Sequence, residues 1–319
     1  MPCDYNYGTL DTKIDLSIQI APHNRRGLLL ANPVIAASGT FGYGEEMAGL
    51  CDIQSLGAII CKGTTLKPRE GNRQPRIAET PSGMLNAIGL QNIGVDALIR
   101  EKSKIWAGWK VPVIVNIAGE TLEEYAELAR KLDGVQGISG LEINISCPNV
   151  ASGCMEFGAN PESAGLVTSA VKNATSLPII VKLTPNACDI VAVAKAVCAA
   201  GADAISLVNT LKGMAIDTGR RKPVLGNKTG GLSGPAIKPI ALYMVYQVSE
   251  AVDVPVIGGG GIATTQDALE FIMAGASAVE VGTATFINPC AGTNIIKGLE
   301  DYVYKNKIKF GDLIGAAHS

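Results

Sequence analysis

The sequence predicts one (β/α)8 TIM barrel, α/β in class, with an N-terminal hairpin and long βα loops. Three observations point to it. Eight short runs rich in β-branched residues recur along 319 residues, and helix-like stretches separate most of them. No Pro/Ser/Gly linker or change of composition divides the chain, which argues against two doubly wound halves. Length alone allows two domains or one large barrel. The undivided composition favours a single domain over 1–319.

In chain order, residues 13–30 alternate loosely and are expected to form a hairpin closing the barrel floor. The strands are expected within 32–38, 56–63, 111–117, 141–147, 178–184, 204–210, 255–260 and 278–284. Helices are expected over 122–132, 163–175, 190–200, 237–251 and 266–274, where they bury parallel strands on both faces. Two connections, 64–91 and 211–234, are too long for plain strand-to-helix turns, and loops of that length usually carry function. A third, 148–161, has glycines and no apolar periodicity, which suits a mobile lid over a site.

Composition removes several function classes. Lys and Arg number 27 against 29 Asp and Glu, a net charge of -2, so there is no polyelectrolyte signature for nucleic-acid binding. Hydrophobic residues at 47% argue against disorder. The first twenty residues are acidic and polar where an export signal needs a basic start and an apolar run. Nowhere do 18 uninterrupted apolar residues occur, so no membrane span or anchor is expected. The eight cysteines form no C-x-x-C pair, which argues against a metal site or an iron–sulfur cluster in this chain. They read as reduced thiols of a cytoplasmic protein, with Cys3, Cys51, Cys188, Cys198 and Cys290 as inert core residues.

Barrels build their sites where strands end and βα loops begin. The strand ends here are polar: Ser38, Lys62-Gly63-Thr64, Asn116, Asn144 with Cys147, Lys182, Asn209-Thr210, Gly259-Gly260-Gly261 and Gly282-Thr283. Each buried amide or ammonium costs desolvation unless a partner meets it. Those partners are a ligand or one another. The glycines ending the last two strands let backbone N–H groups approach an anion, which predicts a phosphate site. Gly258, Gly260 and Ala263 also match G-x-G-x-x-A, with Glu280 at the distance of a ribose contact. Too little chain follows Gly261 for a dinucleotide domain, however, and Glu280 does not end its strand, so a mononucleotide is favoured.

A period of two aims Lys182 and Asn144 into the barrel with Glu142 and Ser146. Lys182 then either pairs with Glu142 structurally or faces a cofactor that becomes anionic on reduction; the neighbouring phosphate site favours the second. His23 and His318 stand at no strand end, so a base must be Cys, Lys or a carboxylate. Cys147 is followed by Pro148, which ends the strand and turns the thiol toward the pocket. Cys154, farther along the loop, reads as a bystander.

Nine blocks in order carry a specific resemblance: ASGTFGYG (37–44), CKGTT (61–65), NAIGLQN (86–92), NISCPN (144–149), VKLTPN (181–186), SLVNT (206–210), GGLSGPAIKP (230–239), GGGGI (258–262) and VGTA (281–284). The chain resembles the class 1 dihydroorotate dehydrogenases over nearly its whole length. The resemblance implies an FMN barrel oxidising dihydroorotate to orotate in pyrimidine synthesis. It implies Cys147 as the base at C5 and hydride transfer from C6 to flavin N5. By the same resemblance Lys62, Asn86, Gly89, Leu90, Asn144, Asn209 and Thr210 hold orotate. Ser38, Lys62, Thr64, Asn116, Asn144, Lys182, Gly259, Gly260, Gly282 and Thr283 hold FMN, with Lys182 at its N1/O2 edge.

The membrane-attached class carries serine in place of the cysteine and an N-terminal anchoring extension, so Cys147 indicates class 1. The loop NVASGCMEFGANPE is similar to the B-type, which implies a homodimer assembled with a second subunit bearing FAD and a [2Fe-2S] cluster that passes electrons to NAD. The alternative is the A-type, which reduces fumarate. Other readings are another flavin barrel acting on a dihydropyrimidine, or a phosphate-binding lyase or isomerase with Lys182 as a Schiff-base lysine.

Overall fold

A computed structural model describes residues 14–145 and 157–318. It begins with the expected hairpin, β1 (Ile18–Gln19) antiparallel to β2 (Leu29–Leu30). The Gln19 side chain closes the turn between them, its Oε1 accepting from the N–H of Ala21 at 3.1 Å and of Leu28 at 2.6 Å. Alternation then separates neighbours: Leu29 is 64% exposed and Leu30 fully buried.

The strands β3 (Val34–Ala36) and β4 (Ala58–Ile60) follow, and then an antiparallel pair, β5 (Ile77–Thr80) and β6 (Gly83–Asn86). The short helices α1 (Val95–Ala97) and α2 (Ser103–Trp106) flank one wide turn of helix. The regular alternation runs through β7 (Val113–Ile117), α3 (Leu122–Leu132), β8 (Gly140–Asn144), α4 (Pro161–Lys172), β9 (Ile179–Lys182), α5 (Ile190–Ala199) and β10 (Ala204–Leu207). Four short strands come next: β11 (Leu211–Gly213), β12 (Ile216–Asp217), β13 (Lys222–Pro223) and β14 (Gly230–Ser233). The chain ends through α6 (Lys238–Ser249), β15 (Val256–Gly259), α7 (Thr265–Met273), β16 (Ala278–Val281), α8 (Ala284–Ile287) and α9 (Ala291–Asn306).

The strands β3, β4, β7, β8, β9, β10, β15 and β16 close into one parallel barrel in that order, β16 pairing back onto β3. This is the expected (β/α)8 fold, and each barrel strand lies within its expected run apart from the first residue of β8. Side-chain caps start four of the outer helices. Thr121, Asn160, Asp189 and Thr264 each accept from a first-turn N–H of α3, α4, α5 and α7. In α3 the buried stripe Tyr125, Leu128, Ala129 and Leu132 faces the barrel, with acidic residues in the first turn and Arg130 and Lys131 in the last.

Inside the barrel the floor is aliphatic. Leu30, with Ile20, Ala21 and Leu28, plugs it against Ile35, Ile60, Ile114, Ile180 and Ile257. The long connections are not free loops. Parts of both join in a four-stranded antiparallel sheet, β11-β14-β6-β5, with Gly231 opposite Asn86. Strands of three or four residues, most of them interrupted by glycine, carry too weak a pattern to be read locally. Helix α9 was also not predicted, because two glycines and an Ile-Ile pair hide its buried face of Ile295, Ile296, Leu299 and Val303. Among the described residues no helix is long and apolar enough to cross a membrane.

The floor plug makes a paired prediction. Leu30→Ala should lower unfolding free energy by about 2–5 kcal/mol through the cavity it leaves. The adjacent Leu29→Ala should stay within about 0.5 kcal/mol. Urea titrations of both variants check this, and equal losses would place the plug elsewhere.

Candidate active site

A cavity of about 530 Å³ opens at the carboxyl ends of the barrel strands, within the ~300–1,000 Å³ typical of ligand sites. Ser38, Lys62, Asn86, Gly89, Leu90, Asn116, Asn144, Lys182, Asn209, Thr210, Gly259, Gly260, Gly282 and Thr283 all border it. Thr64 does not. Its side chain is buried behind the wall, Oγ1 donating to the Lys62 carbonyl at 3.1 Å, while its N–H donates to the Asn116 carbonyl. That position follows from the ladder: Thr64 bridges to Ile117 and ties the end of β4 to β7. Ser146, Cys147 and Cys154 lie outside the described residues.

The charged centre of the site is Lys182. Ladder register sets Lys182 beside Asn144 on one side and Ser206 on the other, with Glu142 two residues below Asn144 on the same face. Its ammonium bonds to Glu280 Oε2 across the barrel and stands 3.6 Å from Glu142 Oε1. All three side chains are 9% exposed or less. Burial works to neutralise Lys182, but the two carboxylates outweigh it and hold the ammonium above its ordinary range. Glu280 shifts upward, first by burial and then by the charge of Glu142, against the pull of Lys182. Sequence reasoning treated Glu280 only as a decoy ribose contact. Its place on the inward face of the last strand, level with Gly259, was the signal that could have found it.

Glu142 also sets the direction of an amide chain. Its Oε2 accepts from Asn116 Nδ2 at 2.5 Å and its Oε1 from Ser206 Oγ at 2.8 Å. An ionised carboxylate only accepts, so Asn116 must turn its NH₂ inward and its carbonyl outward. Asn144 Nδ2 then meets that carbonyl at 3.5 Å, and Asn209 Nδ2 meets Asn144 Oδ1 at 3.5 Å. These long contacts leave room for a ligand's donors and acceptors between them. The Tyr125 hydroxyl steadies Asn144 by donating to its backbone carbonyl at 2.8 Å.

The glycine-rich ends form the opposite wall. Gly260 at φ +125° and Gly261 at φ +81° occupy backbone that favours glycine, and a Cβ on Gly260 would lie 2.7 Å from that of Ala241. Just beyond, Asp267 Oδ2 accepts from the N–H groups of Ala263 and Thr264 at 3.0 and 2.8 Å. Helix α7 is therefore already capped by a carboxylate. The N–H groups of Gly260, Gly261, Gly282 and Thr283 have no acceptor among the described residues, which leaves them for an anion. Above them Thr283 Oγ1 donates to Ser233 Oγ at 2.8 Å, joining this wall to β14. Asn86 Nδ2 reaches the Gly231 carbonyl at 3.3 Å. Ser233 and Asn186 also border the cavity and were not singled out from the sequence.

The cysteines need correction. Cys188 is exposed, and Cys51, Cys198 and Cys290 are half-buried rather than core residues. Of the described cysteines only Cys61 is fully buried, its thiol pushed up to about 12 mainly by burial. His318 does not border the cavity; its ring lies tilted on Tyr246, with Ser249 Oγ 3.0 Å from its Nε2.

A family model described as dihydroorotate dehydrogenase matches residues 22–303. The chain is 56% identical over 305 residues to the dihydroorotate dehydrogenase B (NAD(+)) catalytic subunit of Geotalea daltonii, covering 95% of this chain and 98% of that one. Its identity to the protein of the same description from Pelobacter propionicus is 57%, over 95% and 99% of the two chains. For that of Desulforamulus reducens it is 56%, over 96% and 99%. With likeness of this extent joined to a barrel that gathers the polar strand ends around one cavity, the chain belongs to the dihydroorotate dehydrogenase family, in the B-type group of catalytic subunits.

Proposed function

We propose that the chain, acting as one barrel domain over 1–319, binds one FMN and oxidises dihydroorotate to orotate. The observation that carries this reading is a lysine kept charged inside a cavity whose far wall offers N–H groups with no acceptor among the described residues. Those N–H groups suit the phosphate of FMN, and Lys182 suits the ring edge that gains negative charge. When bound, FMN supplies the acceptor for the hydride leaving C6 of the substrate. Ser38, Asn116 and Asn144 border the same cavity, where they would position the ring. Thr64 supports the side of the cavity formed by Lys62 and Asn116 from behind.

Orotate and its dihydro form present a carboxylate, two carbonyls and two ring N–H groups. Lys62 offers a cation, and Asn86, Asn144 and Asn209 offer amides that both donate and accept. Gly89, Leu90 and Thr210 complete that side, with Gly89 and Leu90 at φ +77° and +53° turning backbone toward the cavity. Cys147 is the residue assigned to remove the C5 proton, by the family resemblance of NISCPN. A Schiff-base lyase is disfavoured: a nucleophilic lysine needs a neutral amine, and Glu142 and Glu280 hold Lys182 charged.

The relatives' description as NAD(+)-dependent catalytic subunits supports the B-type assembly, a homodimer joined by a subunit carrying FAD and a [2Fe-2S] cluster. The cytoplasm is the compartment we assign. The described cysteines are free thiols, which fits a reducing environment.

Anaerobic dihydroorotate should bleach the visible absorption of the FMN-loaded chain; a protein that FMN cannot reconstitute would sink the reading. Cys147→Ala should slow that bleaching by roughly 10²- to 10⁴-fold while FMN stays bound. Because the thiolate is the active form and a free thiol titrates near about 8.5, wild-type reduction should accelerate as pH rises. Stopped-flow traces unchanged by the substitution would move the role elsewhere. In an acceptor panel, the purified chain should reduce dyes but neither NAD nor fumarate rapidly, and NAD reduction should appear with the FAD and iron–sulfur partner. Rapid fumarate turnover by the chain alone would identify the A-type.

A further inference from the structure

Glu280 has one carboxylate oxygen committed and one idle. Oε2 accepts from Lys182, whereas Oε1 is buried in the cavity wall and meets no donor among the described residues. The residue is 4% exposed. Glu142, the other carboxylate facing Lys182, is placed differently. Both its oxygens accept hydrogen bonds, from Asn116 and Ser206. An oxygen without a donor in a low-dielectric wall favours protonation. Two carboxylates around one ammonium carry a surplus negative charge, and Glu280 is the member on which a proton relieves it.

The charged groups acting on Glu280 are Lys182 from β9 and Glu142 from β8. The strands that pair with its own, β15 and β3, present Gly259 and Ile35 beside it, neither titratable. Lys62 borders the same cavity from the end of β4.

Resting on the FMN reading above, we propose that Glu280 is a proton-accepting residue of the cofactor pocket, taking up a proton on Oε1 as the flavin beside Lys182 is reduced at alkaline pH. The step balances. Hydride leaving C6 carries two electrons and one proton to N5, so the ring system gains one negative charge. The C5 proton departs to Cys147 as the C5–C6 double bond forms. A proton from solvent adds to the Glu280 carboxylate, and it is released when the electrons pass on. Charge in the wall is thereby unchanged across reduction.

The test is a spectroelectrochemical titration of the FMN-loaded chain from neutral to alkaline pH. In wild type the midpoint potential should fall with pH at twice the slope of Glu280→Gln, because two protons rather than one accompany each pair of electrons. The amide is neutral and close to isosteric. A second readout needs no variant: reduced-minus-oxidised infrared spectra at alkaline pH should gain a protonated-carboxyl band, which Glu280→Gln loses. Superimposable slopes, with no such band in wild type, overturn the inference and leave the FMN reading standing. A chain that binds no FMN overturns both.

Discussion

One ammonium buried between two carboxylates constrains the upper half of this barrel. Removing charges from water costs several kcal/mol per ion, even after relaxation, so Lys182, Glu142 and Glu280 can stay inside only while each holds the others in place. Their hydrogen bonds reach five of the eight barrel strands: Asn116 on β7, Glu142 on β8, Lys182 on β9, Ser206 on β10 and Glu280 on β16. The orientation of three asparagines follows from it, since an acceptor-only carboxylate at the base of the chain decides which way each amide turns. A lone lysine at the same depth would be driven toward neutrality and could not serve an anionic partner.

Below that layer the barrel obeys a different rule. Inward positions one pair of residues earlier on the strands are Ile35, Ile60, Ile114, Ile180 and Ile257, closed from beneath by the hairpin. Along one face of β9 the side chains pass from Ile180 to Lys182 within one repeat of the strand. The floor supplies apolar burial, and the mouth uses part of the resulting rigidity to hold groups that would prefer water.

The barrel strands were legible because parallel strands buried on both faces leave near-continuous β-branched runs, and helix α3 because its period, cap and terminal charges agree. The mouth sheet was not, since its central ladder, β6 with β14, joins residues more than a hundred positions apart and its strands are three or four residues long. In the site, Lys182, Asn116 and Asn144 stood out as polar residues ending apolar strands. Thr64 has the same signature yet turns away from the cavity, because a residue just past the strand end is placed by its bridge to Ile117 and not by alternation. Glu280 was hidden by the opposite fault: it lies one repeat short of the strand end, where only knowledge of the partner across the barrel gives a carboxylate meaning.

The sheet across the mouth has an evolutionary consequence. It splices the connection that follows β4 to the one that follows β10, with Asn86 opposite Gly231 and Leu85 opposite Leu232. Loops on a barrel rim ordinarily vary in length one at a time, which is how such scaffolds change specificity. Here an insertion in either strand would slip the register of both and swap the inward and outward faces of the other. These two loops can therefore diversify only as a unit, and the walls they form should be inherited together.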